Sequence, residues 1–391
     1  MTDEQLDKGN AMRVLHFYKT SYPDTSGGIE QAIHQIARGG QSFGIQADVL
    51  SLTPNKLPRT TEMDGYLAHR APLSFQLAST GFSVSVFSRF AQLAKASDVI
   101  HYHFPWPFMD VVHFLTRVQK PTVVTYHSDI IRQKNLLKLY RPLQHRFLSN
   151  MDRIVTTSPN YLATSHVLEN YSEKVSVIPV GLDNTSYPTP SEERMEKWRK
   201  QVGEKFFLFV GVLRYYKGLH ILIEAAARVD FPIVIVGAGP IEQELKQQAK
   251  ALGLRNVFFL GFLSDEDKVA LFKLCYGVVF PSHLRSEAFG ISLLEGAMFG
   301  KPMISSEIGT GTTFINIDAE TGLVVPKSSP IALGEAMRFL WDNPLEAALM
   351  GERAKARYSK YFTANQMVSA YANLYSALLL EKTHSYDPIA E

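Results

Sequence analysis

Short apolar runs recur along this chain, separated by stretches of helical spacing, and the pattern starts over near the middle. In the first half the strand-like runs are 13–17, 47–51, 99–103, 122–126, 154–157 and 175–179. In the second half they are 206–210, 233–236, 257–260, 277–280, 302–305 and 322–325. Strands that alternate with helices build parallel sheets covered on both faces. With 391 residues the chain is too long for one ordinary core. The expectation is an α/β protein of two doubly wound, Rossmann-like domains, 1–183 and 184–361, with 183–205 linking them. Residues 363–380 read as a long terminal helix with Met367, Tyr371, Leu374 and Leu378 on one face. The segment 362–391 is expected to cross back and brace the first domain. Ligands of such sheets sit at the carboxyl ends of strands, so two facing domains place the site in the cleft between them.

Composition removes several classes of partner. A net charge of +2 carries no nucleic-acid signature, which needs a strong basic excess or a basic stripe with stacking aromatics. The lone Cys275 cannot form an internal disulfide and reads as a buried apolar thiol, which suits a reducing cytoplasm. No run approaches the ~18 apolar residues of a membrane span. The polar, acidic start, 1–10, is expected to be a disordered leader and not a signal peptide.

The densest chemistry lies in Glu287-Ala-Phe-Gly-Ile-Ser-Leu-Leu-Glu295. A strand and a Pro281-Ser282 turn precede it, and a helix-like run, 291–298, follows. Gly290 then sits at a helix N-terminus, where backbone N–H groups and the dipole attract phosphate. Glu287 falls just before that end and Glu295 more than one turn inside. One acid can reach a sugar beside the phosphate and the other a sugar on its far side. Arg214 and Lys217 follow the first strand of the second half. Two cations at one strand's carboxyl end can hold one diphosphate, Arg214 through paired bonds and Lys217 as a point charge. They also offset the charge of a diphosphate leaving group, which removes the need for a metal. The alternative is a solvated turn beside a helix start.

The first half offers Gly27 and Gly28 after its first strand, where the backbone can approach phosphate or sugar, although any βα loop can carry such a pair. His127 ends the strand 122–126 and is placed to bond a sugar hydroxyl or to serve structurally. His101 and His103 share one strand face, being two apart. Without a third ligand at suitable spacing a zinc pair is rejected, and acceptor contact by His103 is expected. Two motifs are decoys. Gly237-Ala-Gly239 has Glu242 where a dinucleotide fingerprint needs glycine, and Asp265-Glu-Asp267 after Ser264 is the acidic start of a helix. The segment 130–151 carries Arg132, Lys134, Lys138, Arg141, His145 and Arg146 with no acid, interleaved with leucines. It is either a helix with a solvated basic face or a seat on anionic lipid, with the apolar stretch 75–90 assisting.

Taken together, these motifs resemble the family-4 retaining glycosyltransferases of the GT-B fold. The matching pieces span nearly the whole chain: 26–30, 98–103, 125–129, 177–183, 214–218, 237–240, 260–262, 281–282, Glu287-x7-Glu295 and 300–302. The resemblance implies that Arg214, Lys217 and the backbone at Phe289, Gly290 and Ile291 hold a donor diphosphate. It implies further that Glu295 binds ribose, that Glu287 holds the transferred sugar, and that His127 assists at the reacting centre. Gly261-Phe262 would flank the base. One departure is that Val212, not arginine, follows the strand-ending Gly211.

The first half, especially 126–134 and 139–142, is similar to bacterial O-antigen and exopolysaccharide transferases that use GDP-mannose or GDP-D-rhamnose. That implies a hexose transferred to a lipid-linked saccharide at the inner face of the cytoplasmic membrane, with no cofactor and no divalent metal. A sugar-nucleotide 2-epimerase on the same fold is the alternative.

Overall fold

The computed structural model describes residues 11–25, 27–55, 58–77, 80–130 and 134–384. The chain divides into two compact units. The first takes in the chain up to Thr156, His166–Ile178 and the stretch from Ala364 onward; the second takes Thr157–Ser165 and Pro179–Thr363.

The first unit is built on the strands β1 (Met12–Phe17), β2 (Ile45–Thr53), β3 (Thr60–Met63), β4 (Tyr66–Pro72), β5 (Phe75–Leu77), β6 (Thr80–Phe82), β7 (Val99–Phe104), β8 (Thr122–Tyr126), β9 (Arg153–Thr156) and β10 (Val175–Val177). Eight of them form one sheet in the order β10-β9-β8-β7-β1-β2-β4-β3, parallel except for β3, and β5 with β6 forms a separate hairpin. The chain therefore leaves β1 in one direction and later returns to pair β7 on its other side. Strand β4 has no counterpart in the sequence reading. Its apolar run is broken by His69 and Arg70, which are buried because each has an anionic partner: His69 Nε2 lies 2.7 Å from Asp48 and Arg70 Nε 2.9 Å from Asp24.

The terminal helix Ala364–His384 belongs to this unit and buries Met367, Val368, Tyr371, Tyr375 and Leu378. Tyr375 reaches His101 at 2.6 Å and Tyr371 reaches Thr125 at 2.8 Å. Farther along, Glu381 pairs with Arg153 and Lys382 with Asp152.

The second unit holds β11 (Phe207–Val210), β12 (Ile233–Val236), β13 (Val257–Gly261), β14 (Gly277–Phe280), β15 (Met303–Glu307) and β16 (Gly322–Pro326), all parallel, in the order β13-β12-β11-β14-β15-β16. Here the reversal falls between β11 and β14. Alternate residues feed two cores: Phe207, Phe209, Ile233 and Ile235 on one face, Leu208, Val210, Val234 and Val236 on the other. That is why these strands read as unbroken apolar runs. The expected linker is instead part of this unit. Its helix Glu192–Val202 docks through Trp198, whose indole N–H donates to Asp267 at 2.9 Å, and through Arg194, which pairs with Glu266 and Asp267. The short segment Thr157–Ser165 also joins this unit, through Asn160 on Thr313 and Thr164 with Arg285 at the Gly309 carbonyl. Cys275 is buried, and burial pushes its thiol up to about 12.

Close packing at the reversal demands glycine. Gly218 has φ 71°, and a Cβ there would run into the Pro281 carbonyl oxygen; Gly253 has a similar φ of 68° with nothing within 4 Å. Gly218→Ala should therefore cost more than about 2 kcal/mol, against about 1 kcal/mol for Gly253→Ala. Urea midpoints of the two variants check this, and equal losses would contradict it.

Candidate active site

The loops that follow β11 and β14 meet at the reversal of the second sheet, where ligands of doubly wound folds bind. After β11 the chain makes a tight turn, Tyr215–Lys217, closed by Gly218. After β14 it runs through Pro281 and Ser282 to Glu287 and then Gly290, φ 104°, which starts the helix Ile291–Met298. The two loops are laced by backbone: His283 N–H donates to the Tyr216 carbonyl at 3.0 Å, and His283 Nε2 meets the Tyr215 carbonyl at 3.0 Å.

This lacing carries Lys217 onto Glu287. The ammonium and Glu287 Oε2 form an ion pair, both side chains nearly buried at 12% and 11% exposure. Ser282 Oγ donates to the same oxygen at 3.3 Å, and the ammonium stands 4.9 Å from the centroid of the Phe280 ring. A buried pair of this kind is held by mutual neutralisation, and each partner needs a replacement if the other is withdrawn. Arg214 is separate from the pair. Its side chain is exposed, with no ion-pair partner among the described residues. Val212, in the place after Gly211, is 51% exposed.

Gly290 supplies no side-chain cap to its helix, so the first-turn N–H groups are left for another acceptor. Phe289 is buried, and a Cβ on Gly311 would crowd its ring. One turn beyond the start, Glu295 is 4% exposed. Its Oε1 accepts from the Tyr187 hydroxyl at 3.0 Å and lies 3.2 Å from Lys268 Nζ. Burial opposes the Lys268 charge, but Glu295 and Asp265 outweigh it and raise that ammonium above its usual value. Tyr187 and Lys268 are members the sequence reading missed. Tyr187 comes from the supposed linker, and Lys268 follows the acidic helix start. That start is as read: Ser264 Oγ accepts from the Asp267 N–H at 3.2 Å. The Gly237-Ala-Gly239 turn serves packing, because a Cβ on either glycine would strike the backbone of 211–213.

In the first unit Gly27 and Gly28 begin the helix Gly28–Gly40, again without a side-chain cap, and Ser26 lies outside the described residues. A Cβ on Gly27 would press on the end of the Glu30 side chain, whose carboxylate accepts from Thr20 at 2.6 Å and Thr25 at 3.1 Å.

His127 follows β8 and is 7% exposed. Its Nε2 lies 3.0 Å from His103 Nδ1, and His103 Nε2 lies 3.1 Å from His16 Nδ1. Acceptor contact by His103 is thereby corrected: the residue is 0% exposed and both ring nitrogens are spent on other histidines. The third histidine that spacing could not reveal is His16, brought beside His101 and His103 by the pairing of β1 with β7. One ring nitrogen from each of the three lies within 4.8 Å of the others, and the two nitrogens of His101 also reach Tyr375 and Thr125.

Two family descriptions match the chain: Glycosyltransferase Family 4 over residues 26–186 and Glycosyl transferases group 1 over residues 190–357. It is 63% identical over 353 residues to the D-rhamnosyltransferase WbpZ of Pseudomonas aeruginosa, covering 90% of this chain and 93% of that one. The chain belongs to the family-4 glycosyltransferases. It is also 53% identical over 375 residues to the O-antigen chain mannosyltransferase C of Escherichia coli, covering 95% of this chain and all of that one. Among solved structures, sucrose-phosphate synthase from Thermosynechococcus elongatus aligns with TM-score 0.79 at 20% identity, covering 95% of this chain and 100% of that one. The Anabaena protein HepE in complex with UDP aligns with TM-score 0.73 at 21% identity, covering 94% and 100%. The two Rossmann-like units of this glycosyltransferase are those of the GT-B fold.

The buried histidine cluster should make this transferase less stable in acid. Burial holds His16 and His127 down to about 3, with Asp48 opposing it at His16, and holds His101 and His103 well below the usual value. A folded-state value below the unfolded ~6.5 means that protons favour the unfolded chain. The stability is full above ~6.5 and is lost as pH falls toward 3. Each histidine adds up to about 1.4 kcal/mol per pH unit in that window. The urea midpoint should fall from pH 7 to pH 5, and less steeply in His101→Gln; identical slopes in the two proteins would contradict this.

Proposed function

We propose that this glycosyltransferase moves mannose or D-rhamnose, with retention, from a GDP-linked donor to a lipid-linked saccharide in O-antigen synthesis. The observation that carries the donor half is the Lys217–Glu287 pair beside the uncapped helix start at Gly290. It offers a cation and free N–H groups for a diphosphate, and a carboxylate for the hydroxyls of the adjoining sugar. Glu295, set one turn deeper with Tyr187 and Lys268, is the ribose ligand. The choice of hexose and of O-antigen rests on the D-rhamnosyltransferase and O-antigen mannosyltransferase relatives. Neither is described as an epimerase.

The reaction we propose is a front-face displacement. The acceptor hydroxyl oxygen bonds to the anomeric carbon on the side from which the diphosphate leaves. The carbon–oxygen bond to the diphosphate breaks, and the hydroxyl proton passes to a departing phosphate oxygen. Lys217, Arg214 and the N–H groups at Gly290 and Ile291 stabilise the growing phosphate charge, so that no divalent metal is called on. From the first unit, we propose that the backbone at Gly27 and Gly28 and the ring of His127 contact substrate.

A seat on the inner face of the cytoplasmic membrane is part of the proposal. In the helix Lys134–Asn150, Leu136 and Leu139 are 54% and 81% exposed beside exposed Lys138, Arg141 and Arg146. The residues 131–133 lie outside the described part. Phe75, Leu77 and Val84 are exposed as well. Among the described residues no helix is long and apolar enough to cross a membrane.

With GDP-mannose or GDP-D-rhamnose and a lipid-linked acceptor, Glu295→Ala should raise donor KM about tenfold with a smaller change in kcat. Lys217→Ala should lower kcat about a hundredfold or more. Steady-state kinetics on variants that retain the wild-type circular dichroism spectrum check both, and unchanged constants in both would contradict the site.

A further inference from the structure

The carboxyl ends of β1, β7 and β8 stand side by side at the reversal of the first sheet. His16 pairs in register with His101, and His103 with Thr125, so their rings share the face that the terminal helix covers. Along this face three rings are joined nitrogen to nitrogen: His127 Nε2 to His103 Nδ1 at 3.0 Å, and His103 Nε2 to His16 Nδ1 at 3.1 Å. Consecutive ring planes are inclined by 21° and 24°. His127 Nδ1, at the outer end, has no partner among the described residues.

A neutral imidazole has one N–H and one lone pair. His103 must therefore donate from one nitrogen and accept at the other, which leaves two consistent arrangements. If His16 donates to His103 and His103 to His127, then His127 carries its proton on Nδ1 and presents a donor outward. If the bonds run the other way, His127 carries its proton on Nε2 and presents a lone pair outward. No mixture is allowed along the chain without a broken bond, and a bond left unmade in this buried place is costly. Beside the row, His101, whose ring centroid is 4.3 Å from that of His103, is fastened to Tyr375 and Thr125, and Tyr371 bonds Thr125 in turn, which fixes the wall against which the row packs.

We propose that His103 and His16 are positioning residues that fix the tautomer of His127, and so set whether its outward Nδ1 meets a substrate hydroxyl as donor or as acceptor. The catalytic half of this inference rests on the reading that His127 touches the sugar. The hydrogen-bond half stands without it. Burial keeps all three rings neutral near pH 7, so each carries one N–H and one lone pair.

The test is on the full-length protein labelled with 15N in its histidine rings. Wild type should show His127 as one neutral tautomer. His103→Phe, which keeps a ring and removes both nitrogens, should show His127 averaging between two. In the same variant kcat should fall about tenfold or more while donor KM stays within about twofold. His16→Leu should lower kcat in the same way. His16→Asn, whose amide replaces Nδ1 as either donor or acceptor, should recover activity relative to His16→Leu at equal melting temperature. An unaltered His127 tautomer in both His103→Phe and His16→Leu would overturn the inference, as would stoichiometric zinc bound through these rings. If His127→Ala transfers sugar at the wild-type rate, the reading of His127 fails and the catalytic half with it; the nitrogen shifts then still decide the hydrogen-bond half. Should His103→Phe fold poorly, the His16→Leu and His16→Asn pair carries the test alone.

Discussion

A doubly wound sheet has one place where the chain turns back past its own first strand, and the loops on either side of it must share a small space. In the second unit that constraint falls on the loops after β11 and β14. It demands glycine at 218, because the Pro281 carbonyl occupies the room of a side chain. Held this closely, the first loop sets the Lys217 ammonium on the Glu287 carboxylate of the second. The pair is largely withdrawn from water, so its two charges depend on one another. A ligand that brings a diphosphate and a hydroxylated sugar offers each charge a new partner at once. The same reversal in the first unit gathers His16, His103 and His127 into one hydrogen-bonded row.

The parts of this arrangement that were legible in the sequence are those carried by near neighbours in the chain. The alternation of apolar runs with helical stretches announced two parallel sheets, since strands covered on both faces cannot show a polar side. Glu287, Gly290 and Glu295 could be placed because a strand, a turn and a helix follow one another between Gly277 and Met298. What was hidden depends on strand order. His16 and His103 are 87 positions apart and meet only because β7 returns to the far side of β1. Tyr187 reaches Glu295 across 108 positions, from a stretch whose prolines and charges resemble a linker. Strand β4 was masked by His69 and Arg70, which sit in the interior at the cost of bonds to Asp48 and Asp24. Acceptor contact by His103 is corrected for a related reason: periodicity names a face, and in the fold that face is closed, with both ring nitrogens bonded to histidines.

The division of labour between the two acids follows from their surroundings. Glu287 faces a cation that a phosphate can also attract, which suits the change of partners we propose for donor binding. Glu295 is fastened from two sides, by a neutral hydroxyl and by an ammonium, which suits a group that keeps a fixed direction toward a ribose. Neither environment is that of an acid–base couple poised around a scissile bond. We therefore propose that positive potential at the diphosphate lowers the barrier, with the carboxylates holding the sugars on either side of it.

The central claim is that Lys217 exchanges Glu287 for the donor diphosphate while Glu287 takes the sugar. Calorimetric titration of wild type and Glu287→Gln with GDP and with GDP-mannose tests it directly. Removing the carboxylate charge frees Lys217, so GDP alone should bind Glu287→Gln more tightly than wild type. GDP-mannose should lose the advantage it holds over GDP. If Glu287→Gln binds both ligands with wild-type affinity, the exchange does not occur and the site must be drawn elsewhere.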